Sequence, residues 1–254
     1  MSDISIHEEG KGNTILLVHG FPMSSAIWDK FVRQLTPSFR VITVDLPGFG
    51  SSPLLPGSFT LEDVAEAVLK KVEALGIRKL VAVGHSLGGY VTLAMVAKNP
   101  DLFAGFALLH STAMADSEEK KKSRDKTIDF IKKNGAKAFT ANFITPLFAD
   151  SSHSDVPFVR DMNIQAEAPA LTGYTAAMRD RPDHTPLLAE FPRPVLFIAG
   201  AKDPGIPLGD MRAQAALTPK GSLHILEDQA HMSLIEDVTT SSSLVYDFAL
   251  RCYG

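Results

Sequence analysis

Ser86 stands in the stretch Gly84-His85-Ser86-Leu87-Gly88, with a glycine two residues away on either side. An apolar run from Leu80 leads into it, and a helix-like pattern resumes behind it. A strand that turns sharply into a helix has no room for side chains at those two glycine positions. Such a bend would point the Ser86 hydroxyl away from a sheet. It would also turn the free N–H groups of a helix start, Leu87 among them, towards that hydroxyl. A serine hydroxyl is a weak nucleophile until a base takes its proton, so this chemistry requires a histidine elsewhere in the chain. The plain alternative is a strand-to-helix loop in which the serine is structural.

Elements able to hold such a residue recur along the chain. Short apolar runs occur at 14–20, 41–50, 79–86, 103–110, 194–200 and 221–228. Their β-branched and leucine content, without strict alternation, predicts strands covered on both faces. Between them, Leu61, Val64, Ala65, Val68 and Val72 fall on one side of a helix, with Thr60 and Asp63 at its start and Gly76 at its end. Further helices are expected after Ser86 as far as Ala97, over 207–219 and over 232–252. The last is expected to weaken over Thr239–Ser243, which are poor helix formers. Alternating units of this kind predict an α/β fold, a mostly parallel central sheet flanked by helices.

Residues 112–192 break the rhythm. They read as helix, glycine interruption at Gly135, then more helix, with no buried strand. A connection of that length predicts an inserted α-helical cap between two parts of one core, 1–111 and 193–254.

The 254 residues carry a formal net charge of -4, which supplies no electrostatic reason to expect a nucleic-acid partner. Cys252 is the single cysteine, which excludes an intrachain disulfide and a cysteine metal cluster. The first residues show no basic region followed by an apolar run, and no apolar run approaches a membrane span. A cytoplasmic protein with no membrane association is expected. The scattered histidines lack carboxylates at metal-ligand spacing, so no metal and no cofactor is expected. Whether the chain is a monomer or a homodimer is open at this level.

The stretches "LLVHGFP" (16–22), "VDLPGFGSS" (44–52), "GHSLGG" (84–89), "AGAKDPGIP" (199–207) and "DQAHMSLIE" (228–236) together resemble the α/β-hydrolase fold family, across nearly the whole chain. The resemblance implies a nucleophile at Ser86, an acid at Asp203 and a base at His231, the chain order expected for that fold. It also implies an oxyanion hole completed by the backbone N–H of Phe21, beside that of Leu87; Pro22 has no N–H to offer. The sequence context agrees. His231 lies in a loop before the last helix, and Asp203 follows an apolar run, with Pro204 biasing it towards extended backbone. His110, at the end of an apolar run, is the substitute base, and Asp228 and Asp116 are substitute acids. His19 reads as an organiser of its loop.

Phe139, Phe143 and Met178 in the insertion are candidates for the lining of an apolar substrate pocket. Trp28 is a candidate too, with helix packing an equal reading. Arg179 and Arg181 would suit a carboxylate-bearing substrate, against the plainer reading of surface arginines. The expected function is metal-free hydrolysis of a small, largely apolar carboxylic ester through an acyl-enzyme. Lactone or carbon–carbon hydrolysis, cofactor-free perhydrolysis and a slow-turnover ligand sensor are the alternatives.

Overall fold

The computed structural model describes residues 4–254; residues 1–3, part of the polar start, lie outside the described residues. The chain begins with β1 (Ile6–Glu9), β2 (Thr14–Val18), α1 (Asp29–Leu35) and β3 (Arg40–Val44). Then come α2 (Leu61–Ala74), β4 (Leu80–His85), α3 (Leu87–Lys98) and β5 (Phe103–Leu109). Five helices follow: α4 (Glu118–Asn134), α5 (Ala136–Phe143), α6 (Val156–Ile164), α7 (Ala168–Arg179) and α8 (Thr185–Glu190). The chain returns to the sheet with β6 (Val195–Gly200), α9 (Leu208–Leu217) and β7 (Gly221–Leu226), and ends in α10 (Ser233–Glu236) and α11 (Val238–Tyr253).

The described strands form one seven-stranded sheet in the order β1-β3-β2-β4-β5-β6-β7, parallel except for β1. Successive residues of each strand point to opposite faces, and both faces are covered. Leu16, Val18, Ile42 and Phe106 join the core under α2 and α3. Ile15, Leu17, Val41 and Ala107 join the core under α1 and α11. This two-sided burial explains why β2 to β6 read as continuous apolar runs, while β7 at the far edge is only half-buried.

Helix α2 starts where the pattern predicts, with the Thr60 hydroxyl and Asp63 carboxylate forming a reciprocal capping box. Gly135, at φ +84, separates α4 from α5 as expected. No strand occurs among the described residues between β5 and β6.

Two features differ from the sequence expectation. Strand β1 (Ile-His-Glu-Glu) was hidden because it is an edge strand with mostly exposed, charged residues and no apolar run. Its antiparallel pairing with β3 is reinforced by Arg40 donating two hydrogen bonds to Glu8, both 2.9 Å. The expected weakening over Thr239–Ser243 is also corrected: these residues are helical, and the break falls earlier, at Asp237 (φ -136). Asp237 caps α11 through Thr240 N–H, while Ser241 and Ser242 are buried and hydrogen-bonded inside the fold. Burial with satisfied hydroxyls overrides the low helix propensity of serine.

Candidate active site

The chain first builds β3 on one side of β2, then crosses over to build β4 on the other. Strand order therefore reverses between β2 and β4, and the crevice at their carboxyl ends is where ligands bind in open α/β sheets. The loop after β2 carries His19, Gly20 and Phe21; the bend after β4 carries Ser86.

Ser86 has φ +50 and ψ -115, a strained conformation for a residue with a Cβ. The bend is held by Ser86 N–H donating to Leu109 O at 3.0 Å. Gly89 N–H and the Ser111 hydroxyl donate to Ser86 O, at 2.9 and 2.7 Å. A Cβ at Gly84 would strike the Gly88 backbone, and one at Gly88 would strike the carbonyls of Val18 and His19. The two glycines let strand, helix and neighbouring loop approach closely, as their spacing predicts.

His231 lies after β7, at the end of the sheet that holds Ser86. Its Nδ1 donates to Asp203 Oδ2 at 2.7 Å, which leaves Nε2 as the free nitrogen. The other oxygen of Asp203 accepts from Gly205 and Ile206 N–H, at 2.8 and 3.1 Å. Burial alone would raise the Asp203 carboxyl. The facing His231 and His110 rings outweigh it and hold the group far below the usual carboxylate range.

His85 connects this pair to the bend. A carbonyl can only accept, so His85 Nε2–H donates to His231 O at 3.0 Å, and the two rings lie 5.0 Å apart. The residue preceding Ser86 thus fixes the backbone of the His231 loop. Burial holds the His85 imidazole well below its ordinary value, and so neutral. Nothing in the pentad pattern separates this role from that of a spacer, and sequence reasoning missed it.

His19 organises its own loop, as expected. Its Nε2 accepts from Leu46 N–H and its Nδ1–H donates to Gly20 O, both at 2.9 Å; burial pushes its imidazole down to about 4. Among the described residues, the backbone N–H groups of Phe21 and Leu87 have no protein acceptor. Both residues are buried.

The remaining candidates separate clearly. Phe139 and Phe143 on α5 pack against Phe21, with ring centroids 6.1 and 5.7 Å away, and so face the β2 loop. Trp28 is fully buried against Phe31 and the edge of His85, in the core under α1, so helix packing accounts for it. Met178 is buried in the core under α2 and α3, with its Sδ 3.6 Å from Arg124 Nη1, at the edge of an ion-pair cluster. That cluster absorbs two further candidates. Asp116, a substitute acid, accepts from Arg124 and Arg181, each at 2.6 Å. Arg181 is 6% exposed and also lies over the Tyr90 ring, so it is neither a surface arginine nor a free anchor. Arg179 is paired with Asp125 and Asp180. Asp228 is exposed beside Lys202. His110 has both ring nitrogens engaged, with Gly200 N–H and Ser233 Oγ, leaving none to serve Ser86 as a base.

The donor atoms of His110, Asp203 and His231 lie within 4.8 Å of one another. Asp203 and His231 are joined by their hydrogen bond, and His110 is held beside them by Gly200 and Ser233. No described helix is long and apolar enough to cross a membrane.

Fold, bend and paired histidine define a class, and the comparison with known families agrees: residues 13–238 match the alpha/beta hydrolase fold, and the chain belongs to that family. Among curated relatives, it is 30% identical over 269 residues to a pimeloyl-[acyl-carrier protein] methyl ester esterase of Methylococcus capsulatus, covering 96% of this chain and 97% of that one. It is 26% identical over 266 residues to a 2-hydroxy-6-oxononadienedioate/2-hydroxy-6-oxononatrienedioate hydrolase of Klebsiella pneumoniae, covering 98% and 91%. Among solved structures, a thermophilic esterase from Thermogutta terrifontis superposes with a TM-score of 0.94 at 29% identity, covering 100% of this chain and 95% of that one. These relatives are esterases and hydrolases.

Proposed function

We propose that this protein is a serine hydrolase that cleaves a small, largely apolar carboxylic ester through an acyl-enzyme. The observation that carries the reading is the 2.7 Å His231–Asp203 hydrogen bond, anchored through His85 to the bend that strains Ser86. In this reading His231 Nε2 takes the Ser86 proton as Oγ attacks the ester carbonyl. The Phe21 and Leu87 N–H groups, free of protein acceptors, stabilise the oxyanion. Asp203 fixes the His231 tautomer and stabilises the imidazolium. His231 then returns the proton to the departing alcohol, and activates the water that releases the acid.

The aromatic rings gathered at the β2 loop support an apolar substrate. Phe21, Phe49, Phe139 and Phe143 form a contiguous aromatic surface on the β2 loop side. Arg179 and Arg181 are already matched by aspartates, which favours a neutral ester over the dicarboxylate named for the Klebsiella relative. Residues 112–192 act as the cap over this surface.

The test is direct. Ser86→Ala should abolish fluorophosphonate labelling and lower turnover of short p-nitrophenyl esters by about 10⁴-fold or more, with unchanged thermal stability. Wild-type turnover in that variant would remove the proposal, and a single labelling event without sustained turnover in the native protein would favour a sensor.

A further inference from the structure

Among the described residues, two that are not glycine have a left-handed backbone: Ser86 and His110, each at φ +50. The first belongs to the proposed mechanism; the second has no part in it so far. They occupy the carboxyl ends of neighbouring strands, β4 and β5. A left-handed conformation is strained for a residue with a Cβ, and persists where the surroundings over-determine it.

The surroundings of His110 are polar and specific. The side chain is fully buried. Gly200 N–H donates to its Nδ1 at 3.2 Å, and its Nε2 lies 2.6 Å from Ser233 Oγ, which in turn lies 3.0 Å from Ser241 Oγ. His110 Nδ1 is also 3.4 Å from Asp203 Oδ2, the oxygen that accepts from His231. The titratable groups facing the ring are His85 from β4, Asp203 after β6 and His231 after β7.

We propose that His110 is a positioning residue for the Asp203–His231 pair: its ring, held by Gly200 N–H and Ser233, packs against Asp203 Oδ2 on the side that His231 leaves open and so keeps that oxygen directed at His231. The inference rests on the serine-hydrolase reading. Backbone N–H groups pin Asp203 Oδ1, so Oδ2 is the oxygen whose direction must be set from elsewhere. The His110 ring stands against it, and its own direction is fixed from both ends by Gly200 and Ser233. The described hydrogen bonds of the His110 ring go to Gly200 and Ser233 and none to Ser86, so its effect passes through Asp203.

The experiment compares H110A, H110N and S233A with the native protein on a p-nitrophenyl ester. Asparagine tolerates a left-handed φ, and its side-chain oxygen can still accept from Gly200 N–H and keep bulk beside Asp203. H110A should lower kcat by about tenfold or more while KM stays within about twofold, because a misdirected imidazole impairs chemistry rather than binding. The acidic limb of kcat/KM should move to lower pH by roughly half a unit or more, since the imidazolium loses a well-placed carboxylate. H110N should restore both quantities.

Native kcat with an unmoved limb in H110A overturns the proposal. So does a loss of kcat that H110N shares while the limb stays put, which would mark the ring as packing alone. If H110A does not fold, S233A decides, because it leaves the ring and cuts its tether. A limb displaced to lower pH supports the proposal, and an unmoved limb overturns it whatever happens to kcat. Fluorophosphonate labelling of the native protein separates the two readings. An unlabelled, inactive native protein removes both, whereas a labelled, active one with indifferent His110 variants removes only this one.

Discussion

At the residue level, the site depends on keeping several buried groups in one protonation state each. His19, His85 and His110 are all depressed by burial, His19 to about 4, and are therefore neutral near pH 7. The unfolded chain binds protons at these positions more readily than the folded one. Their contribution to stability is accordingly present near neutral pH and lost as the pH falls below roughly 6.5. The urea midpoint should be lower at pH 5 than at pH 7.5, and equal midpoints would show that these imidazoles are not held neutral by the fold. Asp203 behaves oppositely in charge: its depressed carboxyl stays ionised throughout that window. Asp203→Asn should leave the fold standing while reducing kcat by about 10⁴-fold, because the asparagine amide selects the wrong tautomer of His231. A loss below about tenfold would mean that another group orients the imidazole.

At the level of elements, the bend after β4 and the helices between β5 and β6 are held by different means. The bend rests on close backbone approach, so Gly88→Ala cannot be absorbed by a flexible neighbour: the obstacles are the carbonyls of Val18 and His19. Those helices are anchored by charge. Asp116, with no side-chain exposure, binds Arg124 before α4 ends and Arg181 just after α7. Burial pushes the Asp116 carboxyl up, and the two arginines more than compensate, leaving it lowered. Asp116→Asn should cost about 3 kcal/mol, because it leaves Arg181 buried without its counter-charge. The lowered carboxyl contributes stability above the ordinary aspartate range and loses it as the pH falls through its folded value. The gap in unfolding free energy between native and variant should therefore narrow in acid, and a gap that widens would contradict the ion-pair account. A second anchorage joins this segment to the histidine loop. His231 N–H donates to Leu147 O at 3.0 Å, while Glu236 accepts from Ala149 and Asp150 N–H.

Across the whole molecule, the sheet divides the interior into two cores, and the segment between β5 and β6 contributes to both. Leu171, Tyr174 and Leu188 belong to the core under α2 and α3; Ile144, Phe148 and Val159 belong to the core under α1 and α11. Helices that share both cores with the sheet have no separate hydrophobic interior of their own to melt around. Thermal unfolding should follow one cooperative transition, with the calorimetric and van't Hoff enthalpies equal. Two resolved transitions, the first confined to residues 112–192, would show instead that this segment folds independently.

What could be read from the amino-acid order was whatever depends on short-range pattern. The parallel strands β2 to β6 appear as apolar runs because both their faces are buried, and the bend at Ser86 appears because two glycines must stand where no Cβ fits. The capping box of α2 and the glycine between α4 and α5 are local in the same sense. Strand β1 was not readable, since an edge strand need not be apolar and its partner, β3, lies more than thirty residues away. Partnerships between distant side chains were equally invisible. Arg181 looks like any exposed arginine until Asp116 is folded against it, and Trp28 looks like a pocket residue until α1 turns it into the core. His85 and His110 carry no local mark distinguishing a brace from a spacer. Their hydrogen bonds to His231 O and Ser233 Oγ span 146 and 123 positions of chain, a separation that pattern reading cannot bridge and that the sheet closes to about 3 Å.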